Sequence, residues 1–173
     1  MTVLVAGIGN VFLGDDAFGV EVVRRLAPAD VPAGVEVADY GIRGIHLAYE
    51  LLDGRYDTLV LVDAVPLGQR PGTLAVLDAT GQVDVGAPGA VDAHAMSPDV
   101  VLAALRGLGG SVGRVLVVGC QPQVLAEGMG LSAPVRAAVE RAVPLVLDVA
   151  REAAGPSSST LAPSPGSQRR PVR

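Results

Sequence analysis

The feature that most restricts this chain is a set of short, continuously apolar runs set between stretches of helical period. TLVLV (58–62) and VLVVG (115–119) carry no polar residue inside them beyond the leading threonine. A strand open to water on one face alternates polar and apolar residues, whereas one that is apolar throughout is covered on both faces. TVLVAGI (2–8) is of the same kind. Residues 35–40 and 72–77 read as two further strands. Between them, Phe18, Val22 and Leu26 share one face of residues 17–26, with Arg24 and Arg25 off it. Residues 44–52 read as a second helix, closed by Asp53-Gly54. Ser97-Pro98-Asp99 opens a third, which runs to Leu108: serine caps free N–H groups, proline suits the first turn, and the acid favours the positive end. The last helix covers 132–153, with Ser132 as its cap and a kink at Pro144. Strands alternating with helices predict an α/β three-layer sandwich, a mostly parallel twisted sheet of about five strands with helices on both faces. The strand at 72–77 follows the one at 58–62 too closely for a helical crossover, so it is expected antiparallel or at an edge.

A chain of 173 residues, half of them hydrophobic, is enough for one domain with a real core. That domain is expected over 1–154. From Gly155 the sequence becomes rich in Ser and Pro, with three Arg and no acid, and cannot bury enough apolar surface to offset its ordering entropy; 155–173 is expected to be a disordered tail. Formal charge is -5, all 13 basic residues are Arg, and no basic stripe is visible, so nucleic acid is not an expected partner. No apolar run approaches the ~18–20 residues that a membrane helix needs, and no leader pattern is visible at the start, so no membrane insertion is expected. Cys120 is the one cysteine. It excludes an internal disulfide framework and suits a reducing cytoplasm. The apolar content is consumed by a three-layer core, which favours a monomer.

In open α/β sheets ligands bind beyond the carboxyl ends of the strands. The segment GIGNVFLGDDAFGV (7–20) follows the first strand and begins like a dinucleotide fingerprint. Phe12 stands where a sixth-position Gly or Ala is expected, and Asp15 and Asp16 occupy the helix start, where a pyrophosphate needs positive potential. Asp63 directly follows TLVLV; a carboxylate there is costly unless paired, solvated or metal-bound. His94 lies in the polar loop before the Ser97 helix. One imidazole and two carboxylates make an open set of hard-to-borderline donors, suited to a divalent transition metal that arrives with ligands of its own. Asp39, in a Gly-containing loop after the second strand, is a further candidate acid at the same sheet edge. No G-x-S-x-G sits between a strand and a helix as a nucleophile elbow requires (GGSVG, 109–113, precedes a strand), there is no HExxH, Cys120 reads as an inert buried thiol, and His46 reads as solvent-facing on its helix.

These pieces together resemble the nickel–iron hydrogenase maturation endopeptidases, over roughly residues 2–151. The resemblance rests on GIGNVFLGDDAFGV (7–20), DYG (39–41), LVLVDA (59–64), PGTLAVL (71–77), AHAMSP (93–98), VVGCQP (117–122) and GLSAPV (130–135) as an ordered set. It implies a hydrolase that removes a C-terminal extension from the hydrogenase large-subunit precursor after nickel insertion. It implies that Asp16, Asp63 and His94 contact the metal and that Asp39 is the acid of the family's D-G-G loop. The nickel would be supplied by the precursor, not permanently bound. Most members show Glu where this chain has Asp16, one methylene shorter, and Tyr40 stands where the family has a glycine.

Two other readings stay open on the sequence alone. With no conventional nucleophile, the chain could be a non-catalytic nickel-sensing chaperone of the precursor, which would bind it without changing its mass. A nucleotide-binding α/β domain is disfavoured by Phe12, Asp15 and Asp16, and would melt higher with nucleotide present.

Overall fold

The structure, a computed structural model, describes residues 1–81 and 97–155. His94 and residues 156–173 of the expected tail lie outside the described residues. Among the described residues, five strands form one sheet in the order β2-β1-β3-β5-β4. They are β1 (Val3–Ile8), β2 (Val35–Gly41), β3 (Thr58–Ala64), β4 (Leu74–Asp78) and β5 (Arg114–Cys120). β2, β1, β3 and β5 are mutually parallel. β4 is the edge strand and runs antiparallel to β5, as the short connection from β3 requires.

Among the described residues, four α-helices cover the sheet: α1 (Phe18–Arg25), α2 (Gly44–Leu51), α3 (Pro98–Gly107) and α4 (Ala133–Ala154). Side-chain parity sorts the strands between two cores. Val3, Val5, Val60 and Val62 pack with α1 and α4. Leu4, Ala6, Ile8, Leu59 and Leu61 pack with α2 and α3. β1 is buried along its whole length and β3 through Asp63, which is why both read as unbroken apolar runs. Each Leu, Ile or Val fully buried here contributes roughly 1.5–3 kcal/mol.

Two local expectations change. Ser97 and Ser132 occupy N-cap positions, but neither side chain caps its helix; the Ser132 hydroxyl donates instead to Asp15 Oδ2 at 2.9 Å. α4 stays helical through Pro144. Pro144 lies on the exposed side, where water can serve the carbonyl that its missing N–H leaves unpaired. A 3-10 turn, Gly14–Ala17, precedes α1 and takes up Ala17, the first residue expected in that helix.

Candidate active site

The chain steps from β1 outward to β2, then returns past β1 to place β3 on its other side. That reversal opens a crevice at the carboxyl ends of β1 and β3, the position where open α/β sheets bind ligands. Asp16 enters it from the turn after β1, and Asp63 from the end of β3.

Asp63 lies inside β3, opposite Gly119 of β5, on the face shared by Leu59 and Leu61. It is 1% exposed, and its Oδ1 has no hydrogen-bond partner among the described residues. Burial pushes its carboxyl well above the usual carboxylate range; the Asp16 charge adds to this and the Ala64 amide opposes it. Asp16 is half-buried, and burial raises its carboxyl too, against the Asn10 amide, which donates to Oδ2 at 2.7 Å. A buried acid whose proton affinity is raised by a neighbouring carboxylate forms an electrostatically satisfied pair with it when a proton or a cation joins them. An orphaned buried carboxylate oxygen beside a second carboxylate fits a divalent cation carried in by a ligand. No group of three His, Cys, Asp or Glu among the described residues forms a metal site by itself.

Asp39 is placed differently. On β2 it shares parity with Val35 and Val37, which pack on the α1 and α4 side, so it faces away from Asp63. Arg24 of α1 donates to its Oδ2 from Nε at 2.9 Å and lies at 2.8 Å through Nη2. The Asp39 carbonyl accepts from Arg43 Nη2 at 2.6 Å. The structure therefore brings Asp16 and Asp63 together and holds Asp39 on the other face of the sheet. A register irregularity pairs Gly7 with Asp39 but Ile8 with Gly41. The left-handed conformation of this turn falls on Gly41 (φ 53°), leaving Tyr40 inside the strand with its ring buried and its hydroxyl donating to Glu50.

Three residues of the site have roles that the sequence did not reveal. Arg24 is the partner of Asp39. Asn10 builds the loop: its Oδ1 accepts from the Phe12 amide at 2.9 Å, and its own amide holds Asp16. Asp15 is fully buried and accepts from the amides of Gln123, Val124 and Ser132 and from the Ser132 hydroxyl. Burial alone would raise its carboxyl, but those donors outweigh it and hold the group below its ordinary value. Asn before a turn is a readable signal; the partners of Asp15 and Arg24 are not. Cys120 is buried, and burial pushes its thiol up to about 11, which leaves it an unreactive thiol near neutrality. His46 is exposed on α2, as expected. Two loops beside the acids carry exposed apolar side chains, Phe12 (62%) on one and Val124, Leu125 and Met129 (77%) on the other.

A doubly wound α/β sheet with a carboxylate pair at its switch point defines a protein of acid chemistry, one in which the space of a bound pyrophosphate is filled by acids. The comparisons with known proteins refine that class. The profile of the hydrogenase maturation protease family HycI matches residues 20–149. Hydrogenase 2 maturation protease from Escherichia coli is 32% identical over 154 residues, covering 88% of this chain and 92% of that protein. Among solved structures, the hydrogenase maturating endopeptidase HybD from E. coli superposes with a TM-score of 0.68 at 32% identity, over 88% of this chain and 94% of its own. The hydrogenase maturation protease HycI from Thermococcus kodakarensis gives 0.66 at 26% identity, over 86% and 92%. The chain belongs to the hydrogenase maturation protease family and is a hydrolase of the endopeptidase class. Among the described residues, no helix is long and apolar enough to cross a membrane.

Proposed function

We propose that this protein cuts a C-terminal extension from a nickel–iron hydrogenase large-subunit precursor once nickel is in place, and that Asp16, Asp63 and His94 contact the nickel that the precursor carries. The observation that carries this reading is the orphaned Oδ1 of Asp63, buried beside Asp16 at the switch point. An unpaired buried polar group costs about 1–3 kcal/mol, so it persists where a partner arrives in the working complex. Asp16, Asp63 and His94 make an open set of three donors that would hold a free metal only weakly, which suits nickel in the precursor as the condition for engagement. Peptide hydrolysis also needs a proton acceptor for the attacking water, and burial has made Asp16 and Asp63 better acceptors than ordinary carboxylates. The exposed side chains of Phe12 and Met129 give a protein substrate apolar surface next to the acids. The protein is read as a cytoplasmic monomer, consistent with its lone reduced cysteine.

The test is a processing assay followed by intact mass, with precursor prepared with and without nickel. Wild-type protein is expected to shorten only the nickel-loaded form. Asp16→Ala, Asp63→Ala and His94→Ala are each expected to lower the rate by about 10²-fold or more, the scale of a misplaced reacting group, with circular dichroism unchanged. Wild-type rates in all three variants would refute the reading.

A further inference from the structure

The turn that carries Asp16 has little rigidity of its own. It is a 3-10 turn of four residues with no side-chain cap bond at its start. Gly9 passes so close beneath it that a Cβ there would lie 1.9 Å from the Asp16 carbonyl oxygen, so the turn has no room to shift towards β1. What holds it from the other side is the loop between β5 and α4. Gly14 N donates to the Gly128 carbonyl at 2.9 Å, Asp15 N to the Val124 carbonyl at 2.8 Å, and Gly128 N to the Phe12 carbonyl at 2.9 Å. Into the middle of this junction goes the Asp15 carboxylate. Oδ2 accepts from Gln123 N and Val124 N, both at 2.8 Å, and from Ser132 Oγ at 2.9 Å; Oδ1 accepts from Ser132 N at 2.7 Å.

We infer that Asp15 is a positioning residue for the reaction: by stapling residues 123–132 to the turn, it fixes the carboxylate of its neighbour Asp16 beside Asp63. The inference rests on the reading of Asp16 given under Proposed function. The chemistry of the staple is specific. Four donors converge on one side chain, and a carboxylate answers them with two acceptor oxygens and no donor of its own. Asparagine has nearly the same shape but must turn an NH2 group towards at least one N–H, so shape without charge does not restore the staple. Asp16 is the next residue along the chain, and its side chain is held by the Asn10 amide. A shift of the turn therefore reaches Asp16 directly and becomes visible at Asn10.

The experiment compares Asp15→Asn with wild type by kinetics and by amide NMR, below the melting temperature of both. Asp15→Asn is expected to lower kcat for nickel-loaded precursor by about 10-fold or more with KM within about twofold, the pattern of a lost transition-state arrangement. The Asn10 amide is expected to move in the spectrum and exchange faster with solvent, because its acceptor has drifted. A part confined to anchoring the 123–132 loop would leave the Asn10 amide in place. Ser132→Ala removes only the hydroxyl bond, which guards against an Asp15 variant that does not fold; it should move Asn10 the same way by less, with kcat down about 2–5-fold. An unmoved Asn10 amide in both variants would overturn the inference whatever the activity. Asp16→Ala is run alongside: wild-type cleavage by that variant would sink the reading of Asp16 itself, a result distinct from the behaviour of Asn10.

Discussion

Asp63→Asn is expected to give a protein that melts higher at neutral pH and no longer cuts its precursor. In wild type the Asp63 carboxyl is buried, lacks a partner for Oδ1 among the described residues, and feels the charge of Asp16. Its native pKa is raised well above its value in the unfolded chain, so the folded state holds the proton more tightly. Stability from this group is then fully present below the unfolded pKa of about 3.9 and is lost as pH rises through the native value. Asparagine keeps an acceptor for the Ala64 amide but has no charge to desolvate, so the variant lacks that loss. Melting curves at about pH 5 and about pH 8 should show the variant's advantage growing with pH, towards about 1–3 kcal/mol, or roughly 3–10 °C in Tm. Cleavage of nickel-loaded precursor should fall below detection. An advantage that does not change with pH would contradict the charged-state cost, and retained cleavage would remove Asp63 from the machinery. A group that costs stability and is needed for activity is what a functional site looks like in energetic terms.

The site was legible in the sequence to the extent that local chemistry fixes it. The apolar run TLVLV places Asp63 at the end of a covered strand, and the acids after Gly9 argue against a phosphate. Both conclusions need only neighbours in sequence. The staple at Asp15 was not legible, because its donors lie 108 to 117 residues away. For the same reason the sequence around Ser132 points to a helix cap, the commonest use of serine at that position, whereas its hydroxyl serves Asp15. Asp39 shows a different limit. Parity within β2 puts it with Val35 and Val37, and parity within β3 puts Asp63 with Leu59 and Leu61. Which face of one strand matches which face of another is set by the register across β1, and no local pattern carries that. Its partner Arg24 was visible only as a polar residue off the apolar face of α1. His94 is a candidate from its loop and its place before Ser97, and it lies outside the described residues.

Gly19→Ala is expected to damage both the fold and the site, although it adds only a methyl group. A Cβ on Gly19 would stand 1.9 Å from the Val62 carbonyl oxygen and 2.5 Å from that of Ile8. Both obstacles are backbone in buried central strands, so neither can turn aside. Gly7 is matched to it from the strand side, where a Cβ would meet the Gly19 carbonyl oxygen at 2.6 Å. The glycines of this segment thus do the packing part of a dinucleotide fingerprint, pressing α1 against β1 and β3, while Asp15 and Asp16 fill the turn between them. With alanine, α1 must lift off the sheet, which costs about 1–3 kcal/mol as overpacking usually does and lowers Tm by roughly 3–10 °C. The lifted end of α1 is the one that follows Asp16, and the obstructing Val62 precedes Asp63, so the two acids move apart as well. Processing should then fall by more than the unfolded fraction explains, about 10-fold or more at a temperature where the variant is fully folded. Gly107→Ala is the matched control: it ends α3, a Cβ there has nothing within 4 Å, and alanine is expected to be neutral or to stabilise by up to about 1 kcal/mol. If Gly19→Ala instead melts and cuts like wild type, the close approach of α1 to the ends of β1 and β3 is not what sets the distance between Asp16 and Asp63.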